Sequence, residues 1–420
     1  MTRVSKADRR VVITGLGIVS SIGHSFQEVS DNLRGGNSGI RFAPEWKEVG
    51  LNCHVAGDLG DVESLVQEAG FKKSRLRCMN DAAKYCCLAA KDAIADAGFT
   101  DWDTIRQHTA CIVGTGLSGL NVIYQNAVKF YKGEITRIDP YTVVRTMGSS
   151  SSGSIANTFG LNGRSYSISS ACATSAHNIG HAYELIRDGA VDVALAGGGE
   201  EINPLIGSAF NAMRTVLSTG YNDRPDRASR PFDRNRDGIV MTGGAGIVLL
   251  ETLDAARARG AKIHGEILGF GATSDGFDMI LPEPEGKHAA LCMRAALQDA
   301  ELEPGSVDYV NAHATGTHAG DLAEITAIRT LFGESLPMIS STKSIAGHAI
   351  GAAGVHELIH CLAMLNHGFV APSVNIEEVD PVFTDVPIVR ESRQQKLNVV
   401  MSNNFGFGGT NSTIVLGRVL

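Results

Sequence analysis

The sequence alternates short runs of apolar, β-branched residues with longer segments of helical periodicity, and this alternation limits the possible folds more than any other feature. Strands are predicted for "RRVVITGLGIV", "TACIVGTG" and "VDVALAGGG", and helices for "MNDAAKYCCLAAKDAIADAG", ended by Gly98, and "AHNIGHAYELIRDG", ended by Gly189. Alternating strands and helices are typical of the α/β class. Strands as continuously apolar as "VALAG" indicate sheets that are covered on both faces.

A second series of the same kind begins near residue 260. It contains the strand "AKIHGEILGFGAT", the helix "GKHAALCMRAALQDA", the strand "VDYVNAHAT", the helix "DLAEITAIRTLF", the strand "PMISST", the helix "IGAAGVHELIHCLAML" and the strand "STIVLGRV". The repetition predicts two similar α/β halves, residues 1–260 and 261–420. The chain has 420 residues, 43% of them hydrophobic, which is enough to bury a large core.

Charge and cysteine usage argue against several classes of protein. The net charge is −8 and no basic stripe dominates the chain, so a nucleic-acid partner is not expected. The eight cysteines are scattered without a C-x-x-C pair, which argues against a disulfide framework and a cysteine-built zinc site. Unpaired cysteines fit a reducing compartment, and we expect the cytoplasm.

The apolar run near the N-terminus is expected to be a buried strand rather than a secretory signal. It is β-branched, it is interrupted by Gly15 and Gly17, and it lacks a small-x-small cleavage pattern. Elsewhere no apolar stretch reaches the roughly 18 residues of a membrane span. The sequence therefore predicts no membrane association.

One cysteine, Cys172, lies where the apolar run "SYSI" gives way to small residues and then to a helical pattern. A sulfur at a strand-to-helix turn is close to the positive end of the helix dipole, which lowers a thiol pKa and favours the thiolate. The small neighbours leave room for a sharp turn and an approaching substrate: Ser169, Ser170, Ala171 and Ala173. The alternative is that Cys172 is an inert buried residue.

Partners for a reactive cysteine occur in the second half. His313 follows a predicted strand, and His348 lies in the glycine-rich segment "SSTKSIAGHAIGAAG". Ligands bind at strand ends in open α/β sheets, although a hydrogen-bonded structural role is the alternative for each histidine. The segment "SNNFGFGGTNS" is predicted to be a glycine-rich turn whose N–H groups could stabilise an oxyanion.

Together these segments resemble the elongating β-ketoacyl-acyl carrier protein synthases I and II. The similarity extends over nearly the whole chain, through "RRVVITGLGIVSSIG", "SSACATSAHNIGHA", "AGGGEE", "SRPFDRNRDGIV", "NAHATGTHAGD", "SSTKSIAGHAIGAAG" and "NNFGFGGTN". The resemblance implies a thiolase-like fold, with two similar α/β halves stacked as a five-layered αβαβα sandwich. It also implies a homodimer.

The resemblance implies a decarboxylative Claisen condensation of an acyl group on Cys172 with malonyl-acyl carrier protein, giving 3-oxoacyl-acyl carrier protein and CO2 in fatty-acid elongation. His313 and His348 would stabilise the enolate. Cys172 and Phe407 would form the oxyanion hole with their N–H groups, and the Phe407 ring would be a gate. Lys343 would be the active-site lysine with Glu324 as its acidic partner, although Asp321-x-x-Glu324 also fits a capping box.

The resemblance also implies how substrates bind. Thr315 and Thr317 would hydrogen-bond the phosphopantetheine arm, although both hydroxyls could serve the backbone instead. Leu117 would line the acyl pocket, or else pack in the dimer interface. No cofactor would be bound permanently, because acyl groups arrive on the phosphopantetheine of acyl carrier protein. The acidic carrier needs a basic patch on this acidic enzyme, and we expect docking at Lys72, Lys73, Arg75 and Arg77 of "FKKSRLR", although an ordinary solvated charge run is the alternative. Arg214 lies in a segment that is similar to another part of the family's docking surface.

Several positions depart from the family pattern and leave the subtype open. Ala314 replaces the usual glycine after the first histidine, and Gly316-Thr317-His318 replaces the usual S-T-P. "SSACATSAH" is similar to synthase I, whereas "HNIGHA" and "GTGLSGL" are more similar to synthase II. A ketosynthase of a specialised polyketide-like pathway is the alternative function.

Other enzyme classes fit the residues less well. A thiolase would need a second catalytic cysteine after Cys361, and a non-catalytic chain-length partner would lack Cys172. The segment "HELIH", residues 356–360, satisfies the H-E-x-x-H zinc pattern, but it lies in an alanine- and leucine-rich helix typical of packing. His177 and His181 are interpreted as a helix-face pair, and no metal site is expected.

Overall fold

The computed structural model describes residues 9–419. Residues 1–8, which precede the apolar run near the N-terminus, lie outside the described residues. Seven strands precede residue 260: β1 (Val11–Val19), β2 (Ile40–Phe42), β3 (Val55–Gly57), β4 (Ala110–Gly114), β5 (Ser165–Tyr166), β6 (Val193–Glu200) and β7 (Gly244–Thr252). Seven follow it: β8 (Gly265–Ser274), β9 (Tyr309–Asn311), β10 (Met338–Ser340), β11 (Phe369–Val370), β12 (Arg393–Gln394), β13 (Val399–Gly406) and β14 (Thr410–Gly417).

The helices connect these strands. Those before residue 260 are α1 (Phe26–Gly35), α2 (Pro44–Glu48), α3 (Val62–Glu68), α4 (Lys73–Leu76), α5 (Asp81–Ala97), α6 (Trp102–Ile105), α7 (Leu120–Tyr131), α8 (Thr142–Thr146), α9 (Ser150–Phe159), α10 (Thr174–Arg187), α11 (Pro204–Asn211) and α12 (Leu253–Ala258). Those after it are α13 (Lys287–Asp299), α14 (His318–Phe332), α15 (Lys343–Ala346) and α16 (Ala353–His367). Short 3-10 turns at Ala171–Ala173 and Ile350–Ala352 precede α10 and α16.

Ten strands form one sheet in the order β10-β9-β13-β14-β8-β1-β7-β6-β4-β5. The order repeats about its centre, because β1-β7-β6-β4-β5 and β8-β14-β13-β9-β10 share one pattern of two antiparallel pairings followed by two parallel ones. The two halves join where β1 pairs with β8, from Val11 opposite Ile267 to Ile13 opposite Gly265. The domain boundary between residues 260 and 261 stays a prediction.

Helices separate and cover the two halves of the sheet. α10 packs on β4, β6 and β7 and also touches β8 and β14, while α16 packs on β13 and β14 and also touches β6 and β7. Every residue from Ala353 to Leu365 in α16 is buried, as a helix between two sheets requires. α5 and α9 cover the outer face of the first half, and α13 with α14 covers that of the second. The expected five-layered αβαβα sandwich is confirmed.

Most strands and helices predicted from periodicity are confirmed, including α5, which ends immediately before Gly98. The prediction for "SNNFGFGGTNS" is wrong in part, because β13 and β14 extend through this segment and leave only residues 407–409 as the turn. β13 contains the polar pair Asn403 and Asn404, which conceals its strand pattern. Both amides are buried and donate to buried carboxylates, so they are satisfied inside the sheet. Within residues 9–419, no helix is long and apolar enough to cross a membrane.

Candidate active site

Cys172 lies in the 3-10 turn that leads from β5 into α10, and its side chain is buried. The preceding residue, Ala171, has a φ of 49°, in the left-handed region. An L-residue with a side chain adopts that conformation at a cost of about 1–2 kcal/mol. The tight turn therefore stores strain next to the sulfur, as is common where backbone geometry serves a functional residue.

His348 is the side chain in contact with this sulfur, with 3.0 Å between Nε2 and Cys172 Sγ. Its main chain is held on both sides, because its N–H donates to Val240 O at 2.8 Å and its carbonyl accepts from Thr242 N at 2.9 Å. Burial, together with the nearby cation of Lys343, lowers the pKa of His348 well below its usual value. A neutral imidazole is thus positioned to accept the thiol proton.

The structure contradicts the expectation that the helix end lowers the pKa of Cys172. Burial raises the pKa of this thiol to about 12, and the Glu200 carboxylate also raises it. Lys343 and the main-chain N–H of Phe407 act in the opposite direction. Desolvation of the thiolate exceeds the effect of the dipole, so the resting pair is a thiol beside a neutral imidazole.

His313 follows β9 and completes the cluster. The ring centroids of His313 and His348 are 5.3 Å apart and their planes are nearly perpendicular, at 87°. The His313 ring keeps some solvent contact, but burial of most of the ring lowers its pKa well below the usual value, and Lys343 and His348 lower it further. Two neutral imidazoles can thus present N–H donors to one oxygen near Cys172.

Glu324 fixes the main chain at His313. Its carboxylate accepts from the N–H groups of His313 and Ala314 at 2.8 and 2.7 Å, and from Asn403 Nδ2 at 3.1 Å. Burial raises the pKa of Glu324 to about 7. The capping-box interpretation is wrong, because α14 begins at His318, so Asp321 lies inside the helix and bonds the N–H groups of Gly316 and Phe232.

Lys343 pairs with Glu357 and not with Glu324, which corrects the predicted partner. Lys343 Nζ forms a buried hydrogen-bonded ion pair with Glu357 Oε1, and Asn404 Nδ2 donates to the other oxygen at 2.6 Å. Glu357 is the glutamate of "HELIH". The motif drew attention to this residue, but only the packing of α16 against α15 and β13 shows which cation it contacts.

Two family models cover this arrangement. Residues 8–256 match the model described as Beta-ketoacyl synthase, N-terminal domain, and residues 264–377 match the model described as Beta-ketoacyl synthase, C-terminal domain. The chain belongs to the β-ketoacyl synthase family. This assignment confirms the resemblance drawn from the motifs.

Individual proteins similar to this β-ketoacyl synthase agree with the family assignment. It is 46% identical over 413 residues to the 3-oxoacyl-(acyl-carrier-protein) synthase 1 of Haemophilus influenzae, a match that covers 98% of this chain and 99% of the relative. The crystal structure of a beta-ketoacyl synthase from Burkholderia phymatum superposes with a TM-score of 0.92 at 36% identity, over 98% of this chain and all of that one. A type II PKS ketosynthase bound to the hexaketide, in complex with its acyl-carrier protein, gives 0.87 at 28% identity, over 98% of this chain and 100% of that chain.

The other residues predicted for the synthase site differ in their contacts. Phe407 directs its N–H at Cys172, and its half-buried ring stacks on Phe210 with 6.1 Å between centroids. Leu117 packs against the apolar cluster that contains Cys172 and Ile350. Thr315 and Thr317 are partly exposed, with 3.3 Å between their hydroxyl oxygens. Phe407 and Leu117 thus lie beside Cys172, whereas the roles of Thr315 and Thr317 stay predictions.

The predicted docking residues of the synthase differ in exposure and in the hydrogen bonds that they already make. Lys72, Lys73 and Arg77 are exposed, with the Arg77 guanidinium 5.9 Å from the Tyr141 ring centroid. Arg75 is partly buried and donates to the carbonyl and side chain of Asn157, so part of its hydrogen-bonding capacity is already used. Arg214 is exposed just after α11.

The histidine pairs considered as metal ligands have other neighbours. His177 Nδ1 is 2.7 Å from Ser170 Oγ, and His181 Nε2 is 2.9 Å from Tyr166 OH. In α16, His360 Nδ1 contacts Thr342 Oγ1 at 3.0 Å, and the ring centroids of His356 and His360 are 6.4 Å apart. Within the part of the chain that the structure describes, no three His, Cys, Asp or Glu side chains are grouped as a metal site.

Proposed function

We propose that this synthase joins an acyl group, carried on Cys172, to the two-carbon unit of malonyl-acyl carrier protein, releasing CO2 and 3-oxoacyl-acyl carrier protein in fatty-acid elongation. The observation that carries the proposal is the 3.0 Å contact between Cys172 Sγ and His348 Nε2, with His313 beside it. The 46% identical relative, named 3-oxoacyl-(acyl-carrier-protein) synthase 1, supports the same reaction.

The first step is acyl transfer. As Cys172 Sγ attacks the thioester carbonyl of the acyl carrier, its proton passes to the neutral imidazole of His348. The oxyanion accepts hydrogen bonds from the N–H groups of Cys172 and Phe407. When the intermediate collapses, the carrier thiolate leaves and takes the proton from His348. Cys172 is then acylated, and both histidines are neutral again.

The second step is decarboxylation and condensation. The malonyl carboxylate leaves as CO2, and its bonding electrons form an enolate whose oxygen accepts N–H bonds from His313 and His348. The pKa of each imidazole lies well below its usual value, so both rings stay neutral at physiological pH. The enolate carbon attacks the thioester on Cys172, and the Cys172 thiolate leaves as the carbon–carbon bond forms. A proton restores the thiol.

Substrate delivery needs no permanently bound cofactor in this proposal. The phosphopantetheine arm of acyl carrier protein reaches Cys172 past the hydroxyls of Thr315 and Thr317. The Phe407 ring is the gate to the acyl pocket, with Leu117 in its wall. The exposed cations Lys72, Lys73, Arg77 and Arg214, with a smaller role for Arg75, attract the acidic carrier. A solved relative in complex with its acyl-carrier protein supports this partnership.

The proposed assembly is a homodimer in the cytoplasm. β5 ends the ten-stranded sheet, so its outer edge is available to a second copy. Exposed apolar side chains are concentrated on α7 and α8 and between them, a pattern that supports an interface: Ile123, Tyr124, Phe130, Tyr131, Ile135, Val143 and Val144. The polyketide-like alternative is less favoured, because the compared polyketide ketosynthase is 28% identical whereas the synthase 1 relative is 46% identical.

Two variants test the assigned roles. Cys172→Ser should abolish acylation by an acyl carrier, whereas His313→Ala should still be acylated but should not release CO2 from a malonyl carrier. Intact-protein mass spectrometry follows the first reaction and CO2 release follows the second. Acylation of the serine variant at the wild-type rate would show that Cys172 is not the nucleophile.

A further inference from the structure

Glu200, the last residue of β6, is a fully buried carboxylate that none of the roles above includes. Its hydrogen bonds, among the described residues, all come from main-chain N–H groups. Oε2 accepts from Gly116 at 2.9 Å and from Gly351 at 3.1 Å, and Oε1 accepts from Leu117 at 3.1 Å. The carboxylate thereby joins two segments that are far apart in sequence.

Both segments border the thiol. Leu117 packs in the cluster that contains Cys172 and Ile350, and Gly351 follows His348 by three residues. The two segments approach so closely that a Cβ added to Gly351 would lie 2.4 Å from Gly116 N and 2.8 Å from Glu200 Oε2. A Cβ added to Gly116 would lie 2.7 Å from the same oxygen and 3.4 Å from Ala171 O. The contact thus tolerates no side chain.

Backbone strain is concentrated at the same place. Ala171 has a φ of 49° and Ile350 a φ of 48°, and both are residues with side chains in the left-handed region. Such conformations persist only where surrounding interactions impose them. The three N–H bonds to Glu200 hold the Gly116 and Gly351 segments beside these two residues, and they act together with the hydrogen bonds that hold Ser170 in the Ala171 turn.

We propose that Glu200 is a positioning residue that sets the distance between the acyl-pocket wall at Leu117 and the Cys172–His348 pair. The expected effect of Glu200 on acyl selectivity rests on the proposed function. Burial raises the pKa of Glu200 to about 8, against the opposing effect of the N–H groups of Gly351, Leu117 and Gly116, so the carboxyl is ionised above that pH. The ionised carboxylate is acceptor-only and can receive three N–H donors, whereas a glutamine must turn its NH2 group toward one of them. Glu200→Gln therefore releases one segment while changing the side-chain volume very little.

The charge of Glu200 also acts on the thiol, which provides a readout that does not depend on condensation. Four groups set the pKa of Cys172 besides burial: Glu200 and Glu357 raise it, and Lys343 and the Phe407 N–H lower it. His348 contacts the sulfur directly. Above about pH 8, where Glu200 is ionised, removing its charge should therefore lower the pH at which Cys172 reacts with iodoacetamide.

The experiment compares wild type, Glu200→Gln and Glu251→Gln. Glu251 is a matched control because it is a buried carboxylate on the neighbouring strand β7, where it binds Thr14 and Arg259 instead of the site. Each protein is acylated with butyryl and dodecanoyl carriers, and Cys172 alkylation is followed against pH by peptide mass spectrometry. Glu200→Asp, which keeps the charge but withdraws the carboxylate by one methylene from the N–H groups of Gly116, Leu117 and Gly351, is a second test of acyl selectivity in case Glu200→Gln does not fold.

Glu200→Gln should lower the dodecanoyl-to-butyryl rate ratio by about tenfold and shift the alkylation profile to lower pH, while Glu251→Gln keeps the wild-type ratio and profile. Glu200→Asp should lower the ratio alone. An unchanged ratio in Glu200→Gln, or an equal change in Glu251→Gln, overturns the positioning role. If wild type accepts no acyl carrier, the proposed function fails, and an unchanged alkylation profile in Glu200→Gln then overturns the link between Glu200 and Cys172.

Discussion

Lys343 and Glu357 form an ion pair that is almost completely buried, with side-chain exposures of 2% and 3%. Glu357 extends from α16, and its second oxygen accepts from Asn404 on β13. Lys343 lowers the pKa of both His313 and His348, so the pair places a compensated positive charge next to the two imidazoles. This charge favours the neutral imidazoles that the proposed condensation needs.

Removing one partner of the ion pair should destabilise the protein more than replacing both partners by apolar residues. Glu357→Ala leaves an unpaired buried ammonium and should reduce the free energy of unfolding by about 3–5 kcal/mol, whereas Lys343→Met combined with Glu357→Leu should cost much less. Urea unfolding of the two variants beside wild type measures both effects. If the double variant loses as much stability as the single one, the penalty does not come from the unpaired charge.

The raised pKa of Glu201 predicts that the stability of wild type depends on pH in a way that the stability of Glu201→Gln does not. Burial, with a contribution from the charge of Asp81, raises this pKa from 4.5 to about 7. Between those pH values the folded protein binds more protons than the unfolded chain, so the free energy of unfolding falls as the pH rises. Glu201→Gln removes this titration.

The free energy of unfolding of wild type, measured relative to that of Glu201→Gln, should therefore fall by roughly 2–4 kcal/mol between about pH 5 and about pH 8. Urea unfolding of both proteins across this range gives the difference. A constant difference would mean that the carboxyl group ionises as easily in the folded protein as in the unfolded chain, and a rising difference would mean that it ionises more easily in the folded protein.

Charge reversal tests the docking surface. Lys72→Glu combined with Arg77→Glu should raise the KM for acyl carrier protein about three- to tenfold, because exposed cations attract an acidic partner. A small-molecule thioester should be affected little. The matched control reverses two exposed lysines elsewhere, Lys262 and Lys396. Equal changes in both double variants, or for both substrates, would argue against a docking role for Lys72 and Arg77.

Enlarging Leu117 tests the acyl pocket. Leu117→Phe should exclude long acyl chains by overpacking, at about 1–3 kcal/mol for those substrates, which is about a tenfold or greater loss in kcat/KM. Short chains should react almost as in wild type. Acylation of Cys172 by a ladder of acyl carriers gives the profile. A uniform fall at every length would indicate general damage, and an unchanged profile would remove Leu117 from the pocket.

The sequence pattern was informative where periodicity was long and strong. α10 and α16 are regular apolar helices and β6 is a continuous apolar strand, so their burial on both sides follows from composition, whereas α5 is amphipathic and is buried on one side. β13 was not recognised, because Asn403 and Asn404 look like turn residues until their carboxylate partners are known. Side-chain pairing across the fold is set by tertiary packing, which local patterns do not encode.

In the candidate site too, motifs predict some features and tertiary packing sets the others. Cys172, His313 and His348 were found from motifs, and the structure brings them together. The partner of Lys343 was assigned wrongly, since Glu324 and Glu357 are both buried glutamates and only the three-dimensional arrangement separates them. The direction of the Cys172 pKa was also wrong, because burial depends on segments distant in sequence. Glu200 was visible only as part of "AGGGEE".

The most direct test of the account uses a malonyl carrier labelled with a heavy carbon isotope in its free carboxyl group. Wild-type enzyme is mixed with this labelled malonyl carrier and a dodecanoyl carrier. Two quantities are measured: the mass of the carrier-bound product, and the amount of label in the released CO2. The account predicts an acyl group extended by an unlabelled two-carbon unit, with all label in CO2, and no product from Cys172→Ser. Label retained in the product, or an extended product from Cys172→Ser, would contradict it.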